Sequence, residues 1–111
     1  MRLLLQRVQR ASVRVDGTVV GSIGPGLLLF VGLGAGDSGA LFPVMWDKLA
    51  NLRIFNDNLG KMNLSLLDVQ GEVLAVSQFT LYADARKGRR PSYTDALAPD
   101  AARDLFAAFL D

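Results

Sequence analysis

The chain has 111 residues, of which 50% are apolar and 21% are charged, and this length and composition are typical of one globular domain. It has no cysteine, which excludes disulfides and thiolate nucleophiles, and no histidine, which excludes Ser-His and Cys-His dyads. The formal net charge of +1 gives no overall attraction to nucleic acid.

The first third of the sequence is predicted to be mostly strand. Four strands are expected, at 3–8, 12–15, 18–23 and 27–31. Asp16-Gly17 predicts a two-residue hairpin, because both residues tolerate the positive φ of a type I′ turn. Alternation places Val13 and Val15 inward, and the apolar run at 27–31 is expected to be buried on both faces.

A glycine-rich loop at 32–39 leads to a helix predicted at 41–51, with Pro43 in its first turn. The loop lacks the GxGxxG spacing and any Gly-Lys-Ser/Thr, so a connecting loop is favoured over a phosphate cradle. Residues 64–69 are expected to be extended, and residues 72–82 form the strongest strand candidate.

Pro99 is predicted to start a final helix with one apolar side, made by Leu105, Phe106, Phe109 and Leu110. Asp100 and Asp104 share its outer face, so paired-carboxylate catalysis is unsupported. Strands and two helices without strict βαβ alternation predict an α/β fold with a mixed, curved sheet. No apolar run has the length of a signal or membrane segment, and a cytoplasmic protein is expected.

Two segments could carry chemistry. Residues 86–90 hold four cations, Arg86, Lys87, Arg89 and Arg90, which predict either phosphate binding or a solvated surface loop. Residues 77–82 combine hydroxyls and an amide at the end of the strongest strand. Alternation would place Ser77, Phe79 and Leu81 on one face, and spacing alone favours an ordinary strand with one wet face.

Several segments together closely resemble D-aminoacyl-tRNA deacylases. They are residues 1–8, 24–28, 51–55, 60–63, 76–84 and 87–92. The most specific motifs are Ser-Gln-Phe-Thr at 77–80 and Lys-Gly-Arg-Arg-Pro at 87–91, and the resemblance runs collinearly from Met1 to Asp111.

The resemblance implies a cytoplasmic, homodimeric hydrolase that removes D-amino acids from tRNA, and glycine mischarged on tRNA(Ala). It implies a three-layer α/β fold in which helices pack on a barrel-like mixed sheet. The partner is aminoacylated tRNA, with no membrane and no cofactor. The absence of histidine and cysteine argues against a metal.

The resemblance also assigns site residues. Ser77, Gln78, Phe79 and Thr80 would line the catalytic pocket for the aminoacyl-adenosine end, and substrate-binding roles fall to Arg7, Met62, Lys87, Arg89 and Arg90. Thr80 is either the nucleophile or a positioning residue beside the ribose 2′-hydroxyl. Because a threonine hydroxyl needs a base and the chain has no histidine, we favour positioning.

One family feature is absent from the sequence. The family carries an Asn-x-Gly-Pro-Val-Thr motif near its C-terminus, whose cis Gly-Pro enters the partner's active site as a chiral filter and is held with help from Arg7. Here the sole Gly-Pro is Gly24-Pro25, in an early turn, and the last helix reaches Asp111 without a Gly or Asn cap. We therefore expect residues 1–111 to form one domain that lacks its C-terminal strands. The alternatives to an enzyme are a non-catalytic remnant that binds RNA ends and an inactive fragment.

Overall fold

The computed structural model describes residues 1–110. The strands are β1 Arg2–Val8, β2 Ala11–Val15, β3 Thr18–Ile23, β4 Gly26–Gly32, β5 Phe55–Asn56, β6 Met62–Leu64 and β7 Glu72–Ser77. The helices are α1 Phe42–Asn51 and α2 Pro99–Leu110, with two short 3₁₀ helices at Gly39–Leu41 and Phe79–Tyr82. No helix in this part of the chain is long and apolar enough to cross a membrane.

The largest sheet has the strand order β1-β4-β7, and two-stranded sheets form from β2-β3 and β5-β6. The N–H of Glu72 donates to the Pro25 carbonyl (3.1 Å) and that of Gln78 to the Val31 carbonyl (2.8 Å). The two bonds join residues with the same separation along the chain, so β4 and β7 are parallel. Gly26 permits this pairing, because a Cβ there would lie 1.9 Å from the Glu72 backbone oxygen.

Strand β1 runs against β4. Its start lies near the residues after β4, since the Met1 ammonium pairs with Asp37. Its end lies near the start of β4, since Arg7 and Gly26 line the same cleft. The sheet is therefore mixed, which confirms the predicted α/β class, and the strands of residues 1–110 form three separate sheets rather than a closed barrel.

The chain divides into two compact units. The first unit contains Met1–Leu4, Phe30–Phe42 and the chain from Ala75 onward, and the second contains Leu5–Leu29 and Pro43–Leu74. Strands β1, β4 and β7 each contribute residues to both units. That residues 1–111 form one domain stays a prediction.

The first unit has its core where α2 meets the first 3₁₀ helix and Phe42. Phe109 is buried, and its ring meets that of Phe42 edge-on, with centroids 5.2 Å apart. The predicted start of α2 at Pro99 is confirmed. Leu110, predicted on the apolar side, is 54% exposed, and the expected helix end at Asp111 lies outside the described residues.

The second unit buries Leu27, Leu29, Leu49 and Leu66. The predicted hairpin turn is confirmed, because Asp16 and Gly17 have φ of 51° and 80°. Val15 is exposed, contrary to the predicted alternation. Val15 lies at the end of β2, opposite Thr18 and directly before the turn, and the register shift between Val13 and Arg14 places the extra residue, Val20, on β3.

The prediction of extended structure at 64–69 is wrong after Leu64. Ser65 and Asp68 exchange two hydrogen bonds: the Ser65 N–H donates to Asp68 Oδ2 (2.9 Å), and the Asp68 N–H donates to Ser65 Oγ (3.1 Å). This reciprocal pairing is the capping-box arrangement that opens helical turns. The chain accordingly turns here, with the Gly71 N–H bonded to the Leu66 carbonyl.

The prediction that β7 continues to Tyr82 is also wrong. Its parallel partner β4 ends at Gly32, so no ladder remains for the backbone beyond Gln78. The backbone groups are satisfied locally instead, with the Leu81 N–H on the Gln78 carbonyl (3.3 Å) and the Ala83 N–H on the Thr80 carbonyl (3.0 Å). The expected alternation of faces along 77–82 therefore does not occur.

Candidate active site

The Ser-Gln-Phe-Thr segment lies at the change from β7 to the second 3₁₀ helix. The Gln78 backbone is tied to β4 through the Val31 carbonyl, and its side-chain amide donates to the Thr80 hydroxyl oxygen. An amide N–H is a donor and takes no proton, so this contact orients the Thr80 hydroxyl without activating it.

A cleft of about 520 Å³ opens beside this segment within the first unit. Ser77 and Phe79 line it, whereas Gln78 and Thr80 do not. The other lining residues are Tyr93, Thr94, Ala96, Leu97, Ala98, Pro99 and Ala102. The wall is thus mainly small and apolar, with three hydroxyl-bearing residues, Ser77, Tyr93 and Thr94, which is the usual make-up of a small-molecule site.

Two aromatic rings meet at this cleft. Phe79 and Tyr93 pack edge-on, with centroids 5.0 Å apart and planes at 68°. Phe79 is 57% exposed and Tyr93 is 38% exposed, so part of each ring remains open to a ligand. Exposed aromatic surface of this kind suits contact with a nucleobase.

The sequence did not predict the wall formed by residues 94–102. This segment runs beside the glycine-rich loop: the Ala35 N–H donates to the Asp95 carbonyl (3.0 Å) and the Leu97 N–H to the Leu33 carbonyl (2.9 Å). Single backbone bonds between two loops leave no periodic signal in the sequence. Residues 94–98, Thr-Asp-Ala-Leu-Ala, carry no motif that marks them as part of a site.

The glycine-rich loop is organised around Asp37. Its Oδ2 accepts the Gly34 N–H (2.6 Å) and pairs with the Met1 ammonium (2.6 Å). Burial opposes ionisation of this carboxyl, but the two hydrogen bonds and the charge of the Met1 ammonium together outweigh burial, and the pKa of Asp37 is lowered. A carboxylate on the loop's N–H group would repel phosphate, which supports the connecting-loop interpretation.

The basic loop, residues 84–92, is closed at its base and carries its cations toward solvent. Asp84 and Ser92 exchange backbone hydrogen bonds of 2.7 Å each. Arg86 is bound at this base, because its Nε and NH2 atoms contact the two Asp84 oxygens at 2.9 and 2.7 Å. Hydrogen bonding between them raises the pKa of Arg86 and lowers the pKa of Asp84.

The four predicted cations are therefore not equivalent. All four are exposed, but Arg86 is paired with Asp84 in the loop, whereas Lys87, Arg89 and Arg90 are in none of the salt bridges found among residues 1–110. Lys87 also lines a cleft of about 540 Å³ with Asp84, Arg86 and Ser92.

Arg7 and Met62, the remaining predicted residues, have their contacts within the second unit. Arg7 NH1 donates to the Ile54 carbonyl (3.0 Å) and to Asn56 Oδ1 (3.3 Å), and the residue lines a cleft of about 490 Å³. Met62 lies on β6 and is 62% exposed. The structure thus groups Ser77 with Phe79 and Gln78 with Thr80.

The acidic side chains of residues 1–110 are dispersed. This part of the chain contains no group of three or more His, Cys, Asp or Glu side chains close enough to hold a metal ion.

Comparison with solved structures supports the fold. A structure titled "c-Myc DNA Unwinding Element Binding Protein" superposes with a TM-score of 0.90 at 38% identity, over 99% of this chain and 74% of that one. A structure described as a probable eukaryotic D-amino acid tRNA deacylase has a TM-score of 0.80 at 21% identity, over 96% of this chain and 63% of that one. At 21% identity, that likeness concerns the fold alone.

Comparison of sequences identifies the family. The family model described as D-Tyr-tRNA(Tyr) deacylase matches residues 4–111. A D-aminoacyl-tRNA deacylase from Thermomicrobium roseum is 60% identical over 111 residues, which are 100% of this chain and 72% of that protein. One from Roseiflexus castenholzii is 57% identical over 109 residues, or 98% of this chain and 69% of that protein. The chain therefore belongs to the D-Tyr-tRNA(Tyr) deacylase family.

Proposed function

We propose that this protein hydrolyses the ester bond between a D-amino acid and the terminal ribose of tRNA, releasing free tRNA and the D-amino acid. Glycine attached to tRNA(Ala) belongs to the same substrate class. The observation that carries the proposal is the cleft of about 520 Å³ that Ser77 and Phe79 of the Ser-Gln-Phe-Thr segment line together with Tyr93. The names of the bacterial relatives support it.

In this proposal the cleft receives the aminoacyl-adenosine end. The exposed faces of Phe79 and Tyr93 contact the adenine ring, and the small residues of the opposite wall leave room for the amino acid. The ester then lies beside the turn at residues 77–80, where the backbone leaves β7.

Positioning rather than covalent catalysis fits these residues best. A water adds to the ester carbonyl carbon, and its proton passes through the neighbouring 2′-hydroxyl of the substrate to the departing 3′-oxygen. Backbone N–H groups of the turn stabilise the charge that develops on the carbonyl oxygen. Thr80, held by the Gln78 amide, does not line the cleft and positions the ester through the turn at residues 77–80, and an aminoacyl ester is reactive enough for such orientation to matter.

The basic loop supplies the contact to the rest of the tRNA. Lys87, Arg89 and Arg90 project from a loop whose base is fixed by the Asp84–Ser92 bonds, so they present charge to the phosphate backbone at little ordering cost. Arg7 and Met62 remain in the proposal as substrate-side residues from the second unit.

The assembly that we propose is a homodimer in the cytoplasm, where aminoacylated tRNA is found. The second unit exposes large apolar side chains, among them Val20, Leu59 and Met62, which supports a partner surface. Light scattering coupled to gel filtration should give twice the mass of the chain, and a monomer at micromolar concentration would contradict the dimer.

The activity is tested by following release of tyrosine from D-tyrosyl-tRNA and L-tyrosyl-tRNA. We expect D-tyrosyl-tRNA hydrolysis well above the buffer rate, and a slower rate in Phe79→Ala. Val44→Ala, an exposed apolar truncation on α1, serves as the control and should match the wild type.

A second candidate is a non-catalytic protein that binds RNA ends, which Lys87, Arg89 and Arg90 of the basic loop would also support. Saturable tRNA binding without ester hydrolysis above the buffer rate would overturn the deacylase and favour this candidate.

A further inference from the structure

Arg2 lies at the first position of β1 and makes two contacts with the second 3₁₀ helix, Phe79–Tyr82. Its NH1 donates to the Leu81 carbonyl at 2.7 Å. Its guanidinium also lies over the Tyr82 ring, 4.5 Å from the centroid. A planar guanidinium can make both contacts at once, because it donates in its plane and stacks through its face.

The same short helix is packed against the glycine-rich loop. A Cβ at Gly32 would lie 2.9 Å from Leu81 Cβ, and a Cβ at Gly34 would lie 2.7 Å from atoms of the Tyr82 ring. Neither glycine has a positive φ, so close approach rather than backbone conformation requires them. Leu81 and Tyr82 thus each contact Arg2, and each packs closely against one glycine of the loop.

These contacts bear on the candidate active site through very few bonds. Leu81 directly follows Thr80, and the Leu81 N–H closes the turn onto the Gln78 carbonyl. A shift of Leu81 would move Thr80 and the Gln78 amide that orients it. In a site that works by positioning, a displacement of about 1 Å costs up to about 100-fold in rate.

We infer that Arg2 is a positioning residue of the deacylase site, which fixes the Ser77–Thr80 turn through its hydrogen bond to Leu81 and its contact with the Tyr82 ring. The inference rests on the proposed function. Arg2 is not among the residues that line the cleft, and it acts on the site through the 3₁₀ helix.

The test compares Arg2→Met, which removes the donor and the cation, with Arg2→Lys, which keeps the charge but not the planar fork. Arg14→Met, an exposed arginine of the β2–β3 hairpin, is the matched control. Single-turnover deacylation of D-tyrosyl-tRNA is measured across enzyme concentrations, which separates the rate constant from half-saturation.

We expect Arg2→Met to lower the rate constant about tenfold or more, with half-saturation changed by less than about twofold. Arg2→Lys should recover part of the rate, and Arg14→Met should keep all of it. A change in half-saturation alone, or a rate loss equal to the loss of folded protein, would overturn the inference.

Amide hydrogen exchange supplies a readout that needs no activity. In Arg2→Met we expect faster exchange of the Leu81 and Ala83 N–H groups, whose acceptors are Gln78 and Thr80, and unchanged exchange in the second unit. If Arg2→Met fails to melt cooperatively, Arg2→Gln, which retains a donor for Leu81, replaces it.

The two hypotheses fail in distinguishable ways. A wild type without deacylation contradicts the proposed function, whereas unchanged exchange at Leu81 and Ala83 contradicts the role of Arg2.

Discussion

The Thr80 hydroxyl oxygen accepts a hydrogen bond from the Gln78 amide, and the Arg86 guanidinium donates to both carboxylate oxygens of Asp84. In each case the partner decides what the side chain can do. The absence of histidine and cysteine, visible in the sequence, already disfavoured an activated Thr80. The pairing of Arg86 was not visible, because Asp84 two residues earlier reads equally well as one more exposed charge.

Replacing Thr80 tests the positioning role at the scale of one hydroxyl. Thr80→Ala removes the acceptor for the Gln78 amide, and one neutral hydrogen bond is worth about 0.5–1.5 kcal/mol. We therefore expect deacylation to slow by only about 2- to 10-fold. Thr18→Ala, which removes an exposed hydroxyl at the β2–β3 hairpin, is the control. An acyl group trapped on Thr80 in single-turnover runs would show that covalent catalysis operates.

Asp37 should make stability depend on acid pH. Its pKa lies below the ordinary 3.8, so the folded state favours the carboxylate. The stabilisation is complete above the unfolded pKa and is lost as pH falls through the folded one. Asn has no carboxyl to protonate in this pH range. Between about pH 6 and pH 3, the melting temperature of the wild type should therefore fall further than that of Asp37→Asn. Asp104→Asn, at an exposed helix position, should follow the wild type. Parallel curves for all three proteins would exclude this role.

Among the secondary-structure elements, most strands, both long helices and the hairpin follow from local sequence patterns. The wrong predictions occur where a neighbouring strand ends, as at β7, or where a side chain caps a turn, as after β6. β7 stops because β4 stops at Gly32, which no residue within 72–82 reveals. The turn after β6 was in principle readable, since Ser65 and Asp68 stand at the capping-box spacing. It was obscured by Leu64, Leu66 and Leu67, which favour an apolar strand when read alone.

The basic loop can be tested as an element by salt dependence. Removing one cation that binds a phosphate should flatten the slope of log binding constant against log salt by about one unit. Arg89→Ala with Arg90→Ala should therefore weaken binding of different tRNAs by a similar factor and lower the slope by about two. Arg10→Ala with Arg14→Ala removes the same charge from other exposed positions and should leave the slope near that of the wild type. Equal slopes for the two double variants would show that the basic loop is an ordinary solvated surface loop.

Across the whole chain, one part of the candidate site could be predicted from the sequence and most of its cleft could not. The Ser-Gln-Phe-Thr segment was identified by resemblance, but most of the cleft lining comes from residues 93–102, which are joined to the glycine-rich loop by isolated backbone bonds. Such long-range pairing depends on the whole fold. The division into two units was likewise not predicted, and length alone indicated one domain.

Whether the two units unfold together can be decided at Phe109, which is 1% exposed in the core of the first unit. Truncating a buried phenylalanine costs about 3–5 kcal/mol, a large share of the about 5–15 kcal/mol that stabilises a domain. Strands β1, β4 and β7 each have residues in both units. Unfolding of one unit should therefore also disrupt the parts of these strands that belong to the other. In Phe109→Ala we therefore expect the denaturant midpoint reported by Trp46, which lies in the second unit, to fall as far as that reported by far-ultraviolet circular dichroism. Leu110→Ala, at the neighbouring exposed position, should shift both midpoints little. A Trp46 transition that stays in place while the circular dichroism transition splits would show two separately folding units, and the single domain would be wrong.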